Sequence, residues 1–174
     1  GSADVMLAGA VNRADDLFIH MGFHALKALS PTGQTRPFHA EADGLVPGEG
    51  CVVVALKRLA DAHSDGDQVL GVIHGIGLSN DGRDGSLLSP SQSGQVAALR
   101  RAYARSALKH EDVDMIEAHA TGTQRGDATE VATLTEVFGN ARSLPVGSLK
   151  SNMGHLITAA GGAALLKVLA AIEE

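Results

Sequence analysis

Two histidines in this chain sit in loops built from small residues. His119 lies in Glu117-Ala118-His119-Ala120-Thr121-Gly122-Thr123, and His155 in Gly147-Ser148-Leu149-Lys150-Ser151-Asn152-Met153-Gly154-His155. Two imidazole N–H groups aimed at one substrate oxygen could stabilise negative charge that develops there. The flanks add to this chemistry. Thr121 and Thr123 offer hydroxyls beside the first ring, and Lys150 precedes the second by five positions, where it can place a fixed positive charge. Asp127 and Glu130, in Gly126-Asp127-Ala128-Thr129-Glu130, supply carboxylates that could hold that lysine, with Glu130 the first candidate. Taken alone, either histidine reads as a satisfied loop residue or a metal ligand. Zinc is a poor fit, because the pair lacks a third ligand at short spacing and the single cysteine, Cys51, falls inside a strand.

The elements that would position these residues alternate between strand and helix. Short apolar runs at 113–116 and 144–146 predict strands ahead of each histidine, so both rings stand where a strand gives way to a loop. Residues 3–11 form a near-continuous apolar run suited to a strand of parallel type, buried on both faces. Apolar residues at helical spacing predict a helix over 17–29, ended by Ser30-Pro31-Thr32-Gly33. A loop over 34–50 precedes a clear strand at 51–56, in which Cys51 reads as a core residue. A short helix at 59–63, a turn at 64–67, a glycine-interrupted strand at 69–78 and a Gly-rich loop at 80–85 follow. Ser91 is placed to cap a helix reaching about Leu108. Further helices are expected from about Ala128 to Phe138, before Gly139-Asn140, and from about Ile157 to the chain end. The pattern predicts an α/β layered architecture. The closing helix reaches Glu174 without a stop signal, and the first strand needs neighbours from elsewhere, so the chain reads as a piece of a larger enzyme.

Composition narrows the classes. The chain has 174 residues, 44% hydrophobic and 20% charged, the profile of one ordinary globular domain. Its net charge of −6 gives no footprint for nucleic acid. Aromatics make up only 3% while glycine reaches 21 residues, so packing relies on close backbone approach. One cysteine excludes an internal disulfide and fits a reducing cytoplasm. No stretch reaches membrane-spanning length, no signal peptide opens the chain, and neither a Gly-x-Gly-x-x-Gly nor a Walker pattern supports a nucleotide site.

The two histidine motifs, together with Ala3–Asn12, Arg36-Pro37-Phe38, Asp43-Gly44 and Gly48-Glu49-Gly50, resemble the β-ketoacyl synthases, the condensing enzymes of fatty acid and polyketide synthesis. The resemblance covers nearly the whole chain. It implies a partial thiolase-like fold, layered α-β-α-β-α. It implies that 1–62 close the N-terminal half, without the nucleophile segment, and that 63–174 belong to the C-terminal half, ending before a Gly-rich loop. Catalytic roles fall to His119, His155 and Lys150, substrate contacts to Thr121, Thr123 and Asn152, and support to Glu130 and Asp127. No intrinsic cofactor or metal is implied. Substrate would arrive on the phosphopantetheine of an acyl carrier protein, and the complete enzyme would be a homodimer, cytoplasmic, with neither membrane nor nucleic-acid partner. A non-catalytic, dimerising or chain-length homologue is the alternative. A thiolase acting on coenzyme A is disfavoured, because a Gly-His-Pro loop and a second cysteine are absent. Three departures stand out: His39 where Asp is common, Ala120 in place of a frequent Gly, and Ser151-Asn152, which leans toward polyketide-type synthases. The family's nucleophilic cysteine does not coincide with Cys51, so these 174 residues alone are expected to be inactive.

Overall fold

The computed structural model describes residues 2–14, 17–82, 89–139 and 143–173. Part of the Gly-rich loop (83–85), Asn140 of the turn after the fourth helix, and Glu174 lie outside them. Chain order runs β1 (Val5–Asn12), α1 (Leu17–Ala25), β2 (Gly50–Lys57), α2 (Leu59–Asp65), α3 (Gln92–Arg105), β3 (Ile116–Glu117), α4 (Gln124–Phe138), β4 (Val146–Gly147), α5 (Lys150–Met153) and α6 (Ala160–Glu173). Single 3₁₀ turns cover His110–Asp112 and Ile157–Ala159. The alternation of strand and helix predicts the fold class correctly.

β1 and β2 pair antiparallel, from Val5 opposite Lys57 to Asn12 opposite Gly50. This corrects the reading of β1 as a parallel-type strand buried on both faces. Side chains alternate across a strand, so each face meets its own surroundings. One face carries Val52, packed with Leu156, Ala159 and Ala163 and flanked by Ala10 and Val54, so the 157–159 turn and the start of α6 cover it. The opposite face is open, with Leu7 71% and Val53 61% exposed. Cys51 is on that open face and is exposed, which overturns its reading as a core residue.

Other boundaries move for local reasons. α1 ends at Ala25 rather than at Leu29: Lys27 turns to φ 54°, and Leu29 forms a parallel bridge with Leu45. α4 starts earlier than expected, at Gln124. α3 keeps its Ser91 cap, whose Oγ accepts from Gly94 N at 3.3 Å, but stops at Arg105. Residues 69–78 join no sheet among the described residues. They ride along α3, with Arg101 donating to Leu78 O (2.5 Å) and Arg105 to Ile76 O (3.1 Å). The approach is close enough that a Cβ on Gly77 would stand 1.9 Å from Ala98 O, which explains the glycine. β3 and β4 are shorter than the runs that predict them, pairing in parallel only at Ile116–Val146 and Glu117–Gly147. Two further bonds extend this junction: Ile116 N to Pro145 O (2.9 Å) and Ala118 N to Gly147 O (2.7 Å).

Candidate active site

The β3–β4 pair delivers both histidine loops to one place. Beyond β3, four consecutive backbone N–H groups of the His119 loop find acceptors on two carboxylates of α4. His119 N and Ala120 N donate to Glu130 Oε1 and Oε2, each at 2.7 Å. Thr121 N and Gly122 N donate to Asp127 Oδ1 at 3.1 and 3.2 Å. Residues three apart share a helix face, so Asp127 and Glu130 act together as a staple. The second Asp127 oxygen accepts from Phe38 N at 2.8 Å, tying the loop to the segment before β2. Asp127 is 6% exposed, and charge-assisted bonds of this kind are about twice as strong as neutral ones.

The His155 loop has a different anchor. Its backbone forms a parallel bridge with the 46–48 segment, through His155 N to Val46 O (2.7 Å) and Gly48 N to His155 O (2.9 Å). Asn12 Nδ2 in turn donates to Gly48 O at 2.6 Å. After the histidine the chain turns sharply: Ile157 adopts φ 46°, a strained position for a β-branched residue. That turn lets Ile157 N donate to His155 Nδ1 at 3.0 Å. An accepting Nδ1 leaves the proton of the neutral ring on Nε2, as a donor. The same turn explains why a 3₁₀ segment opens where an uninterrupted helix is expected.

The two imidazoles meet edge to face, with centroids 5.4 Å apart and planes at 82°. Burial lowers the pKa of His155 to about 4, with His119 and Lys150 adding to the effect. For His119 burial again lowers the pKa and Lys150 assists, while Glu130 and Asp127 oppose. His119 is nonetheless open to water, so its surroundings are dense rather than dry. Both rings are neutral donors at pH 7.

Lys150 is buried, at 6% exposure, and burial lowers its pKa against the pull of Glu130, Glu117 and Asp127. It makes no ion pair with either Glu130 or Asp127. The direct Lys150–Glu130 contact expected from sequence is replaced, because both carboxylates are occupied by the His119 loop backbone. Thr121 is buried and its hydroxyl lies 3.1 Å from that of Thr123, so the two expected hydroxyls do stand together. Asn152 is exposed, its Oδ1 accepting from Ser151 Oγ at 3.1 Å. Among the described residues, no group of three or more His, Cys, Asp or Glu side chains could hold a metal ion. Within the same residues no helix is long and apolar enough to cross a membrane.

Three contributors escape sequence reasoning. Ser148 Oγ donates to Ala120 O at 2.9 Å, joining the loops directly. Glu117 and Lys167 form an ion pair at 2.6 Å, with the Glu117 side chain only 5% exposed. The available signal was Lys167 itself, a lone charge in the apolar run Ala163–Leu169, which demands a partner.

The chain as a whole is similar to known proteins. Residues 1–62 match the model described as the β-ketoacyl synthase N-terminal domain, and 70–174 the corresponding C-terminal domain. The chain is 45% identical over 172 residues to a phenolphthiocerol/phthiocerol polyketide synthase from Mycobacterium tuberculosis, covering 97% of this chain and 9% of that protein. It is 44% identical over 174 residues to the phthioceranic/hydroxyphthioceranic acid synthase of Mycobacterium bovis, covering 100% of this chain and 8% of that protein. The chain thus spans under a tenth of the length of these relatives. Among solved structures, the ketosynthase from module 6 of the bacillaene synthase of Bacillus subtilis superposes with a TM-score of 0.94 at 36% identity, over 99% of this chain and 32% of that one. A ketosynthase–chain length factor superposes with a TM-score of 0.92 at 44% identity, over 97% and 18%. The fold is that of ketosynthase domains, thiolase-like and α/β.

Proposed function

The chain belongs to the β-ketoacyl synthase family, and from that premise we propose that it forms part of a synthase catalysing decarboxylative condensation in polyketide or fatty acid biosynthesis. In this reading residues 1–62 close the N-terminal half of the catalytic domain and 63–174 supply the C-terminal half up to its Gly-rich loop. The acyl group is held as a thioester on a cysteine supplied by the parent protein outside these 174 residues. A malonyl-type extender arrives on the phosphopantetheine of an acyl carrier protein.

The extender's carbon–carboxylate bond breaks, releasing CO₂ and leaving an enolate whose negative charge rests on the thioester oxygen. The enolate carbon then attacks the acyl thioester, forming the new carbon–carbon bond and releasing the cysteine thiolate. His119 and His155 donate N–H bonds to the enolate oxygen. A neutral donor suits this task, since it stabilises charge without surrendering its proton. Lys150 supplies fixed positive charge, Glu130 and Asp127 hold the His119 loop, and Thr121, Thr123 and Asn152 contact the pantetheine arm. The parent is a cytoplasmic homodimer and needs no metal or redox group.

The observation that carries this reading is the pair of imidazoles in contact, with the Nε2–H tautomer of His155 set by Ile157 N. Retention of both histidines and Lys150 favours catalysis over a silent chain-length partner. The test is CO₂ release and β-ketoacyl product from acyl and malonyl carrier substrates, using the full parent protein. Activity is expected there and not from the 174-residue chain. Product from the short chain would require another nucleophile and overturn the assignment.

A further inference from the structure

One buried carboxylate has no part in the reaction as described. Glu117 lies two residues before His119 and reaches in two directions. Its Oε1 accepts from Leu149 N at 2.5 Å, the residue on which the Lys150 helix begins, and its Oε2 accepts from Lys167 Nζ at 2.6 Å. One side chain therefore links the His119 strand, the start of α5 and the middle of α6. Glu117 and Lys150 also line a common cavity of about 10 Å³, together with Leu149, Met153 and Leu156. Gly147 makes room for the pair, since a Cβ there would stand 2.8 Å from Lys167 Nζ and 3.6 Å from Glu117 Oε2.

Resting on the proposed ketosynthase reading, we infer that Glu117 and Lys167 are a positioning pair: they hold Lys150 in register with the His119 strand and present it with a neutralised carboxylate instead of a bare one. The physical ground is the cost of buried charge. An unpaired carboxylate beside a buried ammonium would bind that ammonium directly and draw Lys150 off its place facing the histidines. With Lys167 in place, Glu117 spends one oxygen on the backbone and the other on α6. The titratable groups facing Lys150 are the carboxylates of Glu117 from β3 and of Asp127 and Glu130 from α4, and the neutral imidazoles of His119 and His155 from the loops; Lys167 acts from α6 through Glu117.

Removing either member of the pair should move the proton equilibrium of Lys150, in opposite directions. In Lys167→Met the Glu117 charge is bared, so Lys150 should hold its proton to higher pH. In Glu117→Gln, whose amide oxygen still accepts from Leu149 N, Lys150 should lose it at lower pH. Each shift should be about one pH unit, the size expected for a unit charge a few ångströms away in a partly buried site. Lys167→Arg should leave the value in place. Competitive acetylation of the full parent synthase across pH, with the Lys150 peptide quantified by mass spectrometry, reads this without reference to activity. Malonyl decarboxylation across pH is read alongside, and its alkaline limb should move in the same two directions. Should either variant fail to fold, Gly147→Ala keeps both charges and only displaces the ammonium; it should reproduce the Lys167→Met direction at smaller size. Midpoints that stay put, or move together, overturn the pair. Midpoints that split between the two variants while the wild-type synthase releases no CO₂ would refute the reaction and leave the pair standing.

Discussion

The histidine loops and the β1–β2 ladder are built on opposite terms. Around His119 and His155, backbone donors end on named acceptors within the chain: Glu130 and Asp127 take four consecutive N–H groups, and the 46–48 segment brackets His155. The ladder makes its backbone bonds too, yet presents Val5, Leu7, Val11 and Val53 outward at more than half exposure. The first region is organised by polar groups that find one another inside these residues. The second leaves apolar surface without a partner among the described residues. The support of the histidine loops is locally self-contained, whereas the apolar cover of the ladder is not found among the described residues.

The largest test of that contrast removes the chemistry. His155→Ala in the parent synthase should lower decarboxylation and condensation about 10²–10³-fold, the usual cost of losing one donor to a developing oxyanion. A loss under threefold would mean that the paired rings are not the charge-stabilising centre.

Next comes the staple. Asp127→Ala leaves the N–H groups of Thr121, Gly122 and Phe38 without their acceptor, and a buried unsatisfied donor costs about 1–3 kcal/mol. We expect a loss of several kcal/mol in chemical denaturation, with Asp127→Asn recovering part of it through the retained amide oxygen. Near-neutral behaviour of the alanine variant would show that solvent replaces the carboxylate and that the His119 loop is less self-contained than its bonds imply.

A pH experiment separates the regions without mutation. His155 has its pKa lowered from 6.5 to about 4. As pH falls below about 6.5, the unfolded chain takes up a proton on this residue and the folded chain does not. The stability contributed by the neutral ring is therefore complete above pH 6.5 and is lost progressively down to about pH 4. Histidine NMR titration should find His155 unprotonated at pH 5. A midpoint near 6.5 would place the ring in open solvent.

Legibility from sequence divides along the same line. The strand-to-loop placement of both histidines and the Ser91 cap were readable, because small-residue loops, short apolar runs and capping residues act over a few positions. The partner of Glu130 was not, since a carboxylate's choice between an ammonium and two backbone N–H groups depends on geometry that spacing does not encode. Lys167 was hidden in an apolar helix, where periodicity registers the neighbours and passes over the exception. Cys51 failed for another reason. Its hydrophobic run fits a strand covered on both sides, and only the packing of Ile157–Ala159 and α6 against a single face decides which of Cys51 and Val52 is inside.

The smallest expected effects lie on the open face of the ladder. Cys51→Ser and Leu7→Ala should each change the stability of the 174-residue chain by no more than about 0.5 kcal/mol, because an exposed side chain gives up little contact when trimmed. Cys51 should also react with a thiol reagent as fast as a small free thiol does. The same measurements on the parent protein sharpen the comparison. Slow labelling and a loss of about 2 kcal/mol or more for Leu7→Ala there would mean that other parts of the protein pack against this face. Slow labelling in the short chain would place Cys51 under cover supplied by these residues themselves. The ladder would then be as self-contained as the histidine loops, and the contrast between the two regions would fail.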